Sequence, residues 1–211
     1  MRGCCSAPEG FVLREPAIRA GLRPVALSRA ASSGARVIEE FWIPGSNARA
    51  DLAVVGSSLE GYEIKSAADS LKRLPAQVSA FSRVFDRCTA VVASRHEPAV
   101  YGLLPPWWGV LVLESDSEAV FSTGRVAHPN PEIDIELVVR LLWRDEVQRV
   151  LVEHGVQPDL AGGRSAMWKQ LLDSLSPAGV RSAVRKALGS RDHWLNQHGQ
   201  PRLSPALAPA R

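Results

Sequence analysis

The sequence predicts an α/β core followed by a helical subdomain. Two apolar runs, Thr89–Ser94 and Gly109–Leu113, are typical of buried strands, and amphipathic helical patterns lie before and between the predicted strands. From about Asp134 the strand signals stop, and apolar residues recur at helical spacing. The predicted units are a core at 11–130, a helical subdomain at 131–195 and disordered tails at 1–10 and 196–211.

The first predicted elements are a helix from Phe11 to about Ser28 and a strand from Arg36 to Ile43. Ile18 and Leu22 keep the four-residue spacing of one helical face. The strand stops at Pro44-Gly45, where proline removes a backbone donor and glycine permits a turn.

A hairpin follows, and it carries the residues that point to a function. Its strands, Ala50–Val55 and Tyr62–Lys65, each contain an acid in an otherwise apolar setting, Asp51 and Glu63. Side chains alternate along a strand, so Glu63 and Lys65 share a face. Pairing of the two strands brings Asp51 beside Glu63. The hairpin therefore predicts two carboxylates and one ammonium at one end of a sheet.

Such a cluster has a functional and a plain interpretation. Two carboxylates a few ångströms apart suit a hard divalent cation such as Mg2+, and a neighbouring ammonium suits a water or a phosphate. Alternatively, Glu63 and Lys65 are solvent-facing neighbours on an exposed strand. The buried-type run Leu52–Val55 favours the functional interpretation, because an acid beside such a run is costly unless it is paired or bound to a metal.

The segments after the hairpin complete the predicted core. Asp69 or Ser70 is expected to cap a helix that runs to about Asp86, with Arg73 and Gln77 as neighbours on one flank. Pro75 is expected to divide this stretch into a short first turn and a main helix. Beyond it, Trp107 and Trp108 precede the second buried strand, and we expect them to bury against the sheet or the C-terminal helices rather than to stack on bases. An edge strand at Val120–Ala127 closes the core.

The C-terminal helices allow two interpretations. Ser165 is expected to cap one helix, and Ser176-Pro177 begins another that ends near Gly189. The second helix carries Arg181, Arg185 and Lys186, which vaguely resembles a helix-turn-helix. A helical subdomain packed against the core is the preferred interpretation.

Composition excludes several classes of protein. Net charge is +3 and the isoelectric point about 9.0, which is compatible with nucleic acid without demanding it. Three cysteines without any C-x-x-C pair indicate neither a zinc site nor a disulfide framework. No P-loop and no GxGxxG motif is present, so ATP or dinucleotide use is not supported. The lack of a signal-like or membrane-spanning apolar run predicts a soluble, cytoplasmic protein without a membrane partner.

Asp51 followed by Glu63-Ile64-Lys65 resembles the PD-(D/E)XK nuclease superfamily. The order of elements around the motif is similar to that of the superfamily. Sequence segments such as RADLAVV and GYEIKS resemble a group of its small bacterial members, and this resemblance extends from about Phe11 to about Trp194. The resemblance implies a restriction-endonuclease-like core, with a helix, a three-stranded meander, a helix and further strands in a mixed sheet.

The resemblance also implies an activity, a Mg2+-dependent (or Mn2+-dependent) deoxyribonuclease, with a role in DNA repair or processing. Asp51, Glu63 and the carbonyl of Ile64 would then hold the metal, while Lys65 orients or deprotonates the attacking water. Glu15 matches the acid that the first helix contributes in that superfamily.

Glu39 is the alternative to Glu15 as the third acid. Gln77 matches a glutamine that supports the site in RecB-like members, although Phe81 replaces the tyrosine of their pattern.

DNA is the expected partner. Arg49, Lys72 and Arg73 lie near the motif and are expected to contact its phosphates. A homodimer is compatible with an enzyme that cuts both strands. The alternative function is a catalytically silent module on the same fold that binds DNA or a partner protein.

Overall fold

The fold is described from a computed structural model that covers residues 13–30, 34–115 and 118–191, with the backbone of 193–195 and 201–203. The expected tail at 1–10 lies outside these residues, as does most of 196–211. Two single 3-10 turns, at Leu71–Arg73 and Ser94–His96, supplement the regular elements. The helices and strands are α1 (Glu15–Arg29), β1 (Arg36–Trp42), β2 (Arg49–Val55), β3 (Leu59–Lys65), α2 (Leu74–Ser82), β4 (Arg87–Ala93), α3 (Glu97–Val100), β5 (Gly109–Leu113), β6 (Phe121–Arg125), α4 (Ile135–Val139), α5 (Arg144–Glu153), α6 (Gly163–Ser174), α7 (Pro177–Ser190), β7 (His193–Leu195) and β8 (Pro201–Leu203).

Six strands form one mixed sheet in the order β1-β2-β3-β4-β5-β6. Strands β1, β2 and β3 form an antiparallel meander, β3, β4 and β5 are parallel, and β6 pairs antiparallel with β5. The parallel pairing of β3 and β4 requires a crossover, and α2 lies within it. The predicted α/β class with a mixed sheet is confirmed.

Helices cover both faces of this sheet. Helix α1 buries Ile18, Leu22 and Ala26 against one face, where they form a cluster with Leu52 and Tyr62. The opposite face packs against α2 and also against α4, α5, α6 and α7, in one continuous larger cluster. The C-terminal helices therefore share one hydrophobic core with the sheet.

An ion pair fastens α7 to the sheet. Asp86 is buried, and it accepts a hydrogen bond from the Leu59 N–H at 2.7 Å. Arg181 lies 2.5 Å and Arg185 3.3 Å from its carboxylate oxygens. Two of the three cations in the suggested helix-turn-helix are thus directed at the core. Lys186 pairs with Glu153 of α5.

The predicted helix from about residue 70 to 86 is divided near Pro75, as expected, but it ends earlier than predicted. A 3-10 turn precedes α2, whose first turn contains Pro75, and Arg83 already caps its end. Asp69 does not cap the helix, because its carboxylate accepts from the N–H and the hydroxyl of Ser66 instead. The proline explains the boundary, since it lacks the donor that a continuous helix would need there.

The helical stretch after Asp134 likewise forms two helices, α4 and α5. Asp134 caps α4 by accepting from the N–H groups of Glu136 and Leu137. Glu146 then accepts from the Trp143 N–H at 2.7 Å and so marks the start of α5. Ser176 caps α7 as predicted, accepting from the Gly179 N–H.

The tryptophan pair belongs to the core. Trp108 is fully buried and donates from Nε1 to the Ser82 hydroxyl at 3.2 Å, and Trp107 is buried beside it. The expectation that both bury is confirmed, and neither ring offers a face for base stacking.

Two further observations concern the ends and the surface. Pro201–Leu203, within the stretch expected to be a disordered tail, pairs as β8 with His193–Leu195. No helix in the described residues is long and apolar enough to cross a membrane.

Candidate acidic cleft

A cleft of about 440 Å³ opens where α1 begins and where β2 and β3 approach α2. The turn between β1 and β2 forms one wall. The lining includes the predicted residues Glu15, Arg49, Asp51, Glu63, Ile64, Lys65, Arg73 and Gln77. Lys72 is exposed on the neighbouring 3-10 turn and is not part of the lining.

Three acids form a row across the meander. Glu40 and Asp51 lie between the paired residues Glu39–Leu52 and Phe41–Ala50, and so face each other across β1 and β2. The register between β2 and β3, continued by one residue, places Asp51 opposite Glu63. Each strand of the meander therefore contributes one carboxylate at the same level of the sheet. The hairpin pairing expected from the sequence produces this arrangement.

A backbone irregularity accompanies the row. Ile38 and Phe41 lie three residues apart on β1, yet both bury in the same core cluster, and so do Ala50 and Ala53 on β2. Regular strands would direct them to opposite faces. The break on β1 lies at Glu40, which has a left-handed φ of 54°. Non-glycine residues in this region carry strain of about 1–3 kcal/mol and cluster at functional sites.

Glu15 joins the row from the start of α1. One carboxylate oxygen each from Glu15, Glu40 and Asp51 lies within 4.8 Å of the others. Glu39, the alternative third acid, lies outside the cleft lining and faces Arg19 and Arg23 at 3.5 and 3.6 Å. The sequence reasoning missed Glu40, although the strand register contains the signal for it.

Glu63 is the most buried acid of the cleft. It is 1 % exposed, and its Oε1 accepts hydrogen bonds from both Lys65 Nζ and Gln77 Nε2. Its Oε2 is buried without a hydrogen-bond partner among the described residues, and so is Oε1 of Gln77. A buried carboxylate oxygen without a partner is costly, and it marks a place for an additional group.

Burial also changes the acidity of the cleft. Loss of hydration and the adjacent Glu63 charge raise the pKa of Asp51 to about 8, against an opposing hydrogen bond from the Ile64 N–H at 2.6 Å. Burial likewise raises the pKa of Glu63, although Lys65 and Gln77 favour its charged form. The paired acids resist full ionisation unless a positive charge joins them.

Arg19 supplies a positive charge to two other acids of the cleft, Glu15 and Glu40, and the sequence reasoning missed it. Its Nη2 donates to Glu15 and, at 2.6 Å, to Glu40, and its side chain is largely buried. It reaches the cleft because it lies one helical turn after Glu15 on α1. An arginine of the chain itself thus neutralises two of the cleft acids.

The predicted DNA contacts differ in position. Arg49 is exposed at the rim, with Nε 3.4 Å from Oε2 of Glu40. Arg73 is also exposed and lines the cleft from the 3-10 turn before α2. Both cations are therefore accessible to an anion that approaches the acids.

The similarity of the chain to known proteins points away from nucleases. A family model described as bacteriophage P4 protein cII matches residues 11–206. Protein cII of Enterobacteria phage P4 is 27% identical over 186 residues, which cover 86% of this chain and 69% of that protein. No solved structure matches the chain.

These matches overturn the assignment to the PD-(D/E)XK superfamily, and with it the DNA-hydrolase activity and the repair role inferred from it. A D…ExK pattern consists of few residues and arises by chance, whereas the family match runs along almost the whole chain. The prediction of a nuclease was wrong. The chain belongs to the bacteriophage P4 protein cII family.

Proposed function

We propose that the protein is a DNA-binding module whose acidic cleft holds Mg2+ or Mn2+ against a backbone phosphate and leaves the DNA uncut. The observation that carries the proposal is the buried, unpartnered Oε2 of Glu63 within an otherwise hydrogen-bonded cleft of acids.

The donor set fits a hard cation. Glu15, Glu40 and Asp51 offer carboxylate oxygens within 4.8 Å of one another, and Glu63 lies next to Asp51 in the row. Mg2+ and Mn2+ prefer oxygen ligands. A bound cation would also favour the charged form of Asp51, whose pKa is raised by burial and by the neighbouring Glu63 charge.

The rim supports an anionic partner. A cleft of bare carboxylates repels phosphate, but a divalent cation reverses the sign of the local field. Arg49 and Arg73 then extend the positive surface outward from the cleft. Phosphate contacts of this kind give binding that is independent of sequence and sensitive to salt.

The contacts of Lys65 favour binding over hydrolysis. Its ammonium is buried and donates to Glu63, so it is committed to a carboxylate and not presented to solvent. Arg19 donates to one oxygen of Glu15 and to one of Glu40, so a bound cation would share these acids with the arginine. These ion pairs suit an electrostatic platform.

We further propose that the fold is a restriction-endonuclease-like scaffold used without hydrolysis. The support is the element order, in which α1, the β1–β2–β3 meander, α2 and β4 follow one another.

The test is fluorescence anisotropy of labelled single-stranded and duplex DNA in Mg2+ and in EDTA, with gel analysis of the DNA afterwards. We expect tighter binding in Mg2+ and intact DNA. Asp51→Asn should abolish the Mg2+ increment, whereas Asp145→Asn, an exposed acid on α5, should keep it. Equal affinity in Mg2+ and EDTA would contradict the role of the metal. A protein that does not bind DNA would contradict the DNA-binding function, and cleaved DNA would contradict binding without hydrolysis.

A further inference from the structure

One aromatic side chain near the cleft is exposed. Trp42, the last residue of β1, has 48% of its surface accessible. The other large hydrophobic residues exposed in the described part of the chain are aliphatic. A singly exposed apolar side chain is ordinary on a protein surface, so the position of Trp42 relative to the cleft decides whether the indole can serve a ligand.

The register relates Trp42 to the cleft. Trp42 pairs directly with Arg49 of β2, and directly paired residues project from the same face of a sheet. Arg49 lines the cleft and approaches Glu40, which lies two residues before Trp42 on the same strand. The indole therefore stands beside the rim arginine, on the outer side of the acidic row.

The position at the sheet edge leaves room for a ligand. Strand β1 is the first strand of the sheet and pairs only with β2 among the described strands. Phe41, the preceding residue, buries in the core, so Trp42 projects away from that core. A flat group can approach the ring without displacing a neighbouring strand.

The chemistry of the pair selects one form of DNA. An exposed aromatic ring stacks on a nucleobase, and an adjacent arginine binds the phosphate of the same strand. In a duplex the base faces are already stacked on one another, so only an unpaired base can meet the indole. We propose, building on the DNA-binding function above, that the cleft takes single-stranded DNA with one base on Trp42 and its phosphate at Arg49.

The experiment compares variants at Trp42 on two probes, oligo(dT) and a duplex of the same length, by anisotropy in Mg2+. Trp42→Ala should weaken oligo(dT) binding by about fivefold to a hundredfold. Trp42→Phe should restore most of it, because a smaller ring still stacks. Leu160→Ala, which removes a comparably exposed aliphatic residue, should leave both affinities unchanged.

The outcomes separate this inference from the DNA-binding function. Unchanged oligo(dT) affinity in Trp42→Ala, with weaker binding in Arg49→Ala, overturns the stacking role and keeps the DNA-binding function. An equal loss on duplex and oligo(dT) overturns the preference for single strands. If the wild type binds neither probe, both proposals fall. Thermal unfolding of each variant confirms that it is folded.

Discussion

Gln77 and Lys65 both donate to the same oxygen of Glu63, so a single carboxylate oxygen carries two hydrogen bonds while the other remains buried without a partner among the described residues. This relationship fixes the orientation of the carboxylate. Gln77 donates to this carboxylate from α2. The glutamine acts on the cleft by holding an acid in place.

Gln77→Ala should therefore weaken cation binding. Loss of the donor frees the Glu63 carboxylate to rotate, and removal of such supporting contacts typically lowers metal affinity by about tenfold to a hundredfold. The measurement is the Mn2+ concentration that produces half of the maximal rise in unfolding temperature. Ser79→Ala, an exposed change on the same helix, serves as the control. Equal Mn2+ dependence in the two variants would contradict the positioning role.

Asp51→Asn should change the pH dependence of stability in EDTA. The pKa of Asp51 is raised by burial and by Glu63 to about 8 in the folded protein, from an ordinary value of 3.8. Between these values the folded chain holds a proton that the unfolded chain has released, so stability falls as the pH rises. The asparagine variant lacks this contribution.

The measurement compares unfolding temperatures at pH 5 and pH 8. We expect the wild type to lose more stability than Asp51→Asn over this interval, and the variant to be the more stable protein at pH 8 without metal. Parallel pH profiles would show that Asp51 ionises normally in the fold.

Arg19→Gln should strengthen cation binding. The guanidinium neutralises Glu15 and Glu40, and its removal leaves a more negative cleft, which we expect to raise Mn2+ affinity by about tenfold. The matched control is Arg23→Gln, because Arg23 lies on the same helix but faces Glu39. Weaker Mn2+ binding in Arg19→Gln alone would instead mean that the arginine is needed to place the acids.

Asp86→Ala should destabilise the attachment of α7. The change removes a buried acceptor and leaves Arg181 and Arg185 without their shared partner, at an expected cost of about 2–4 kcal/mol in unfolding free energy. Chemical denaturation measures the loss. Arg149→Ala, which breaks an exposed pair on α5, should have little effect. A small loss in both variants would show that the helices are held by apolar packing alone.

Trp108→Ala should also be costly, at about 3–5 kcal/mol, because it removes a fully buried indole from the main core. Urea denaturation gives the value, and Trp42→Ala, an exposed tryptophan, provides the comparison. Similar unfolding free energies of the two variants would contradict the burial of Trp108 in the main core.

Local patterns predicted much of the architecture. The strand Gly109–Leu113 and the start of α7 at Pro177 occur where the sequence placed them. These features depend on near neighbours, such as a buried apolar run or proline at the first helical position. The division of the helical stretch at Pro75 was predicted as well, whereas the contact of Asp69 with Ser66 instead of with a helix N-terminus was not.

The candidate site also contains features that the sequence predicted and features that it did not. Asp51 and Glu63 were grouped from the hairpin alone, since strand pairing depends on a turn of few residues. The short motif they form nevertheless suggested the wrong family, because few residues carry little information about descent. The family match depends on similarity along the whole chain.

The sequence by itself determined the positions of the six strands of the main sheet and the acids on the hairpin, because these follow from spacing along the chain. Tertiary structure alone decided that Glu40 and not Glu39 faces the cleft, through a left-handed residue in β1. It also decided that Arg19 neutralises Glu40 and that Trp42 stands beside Arg49. Contacts between side chains that are distant in sequence depend on how the helix packs on the sheet. The local periodicity of the sequence carries no information about that packing.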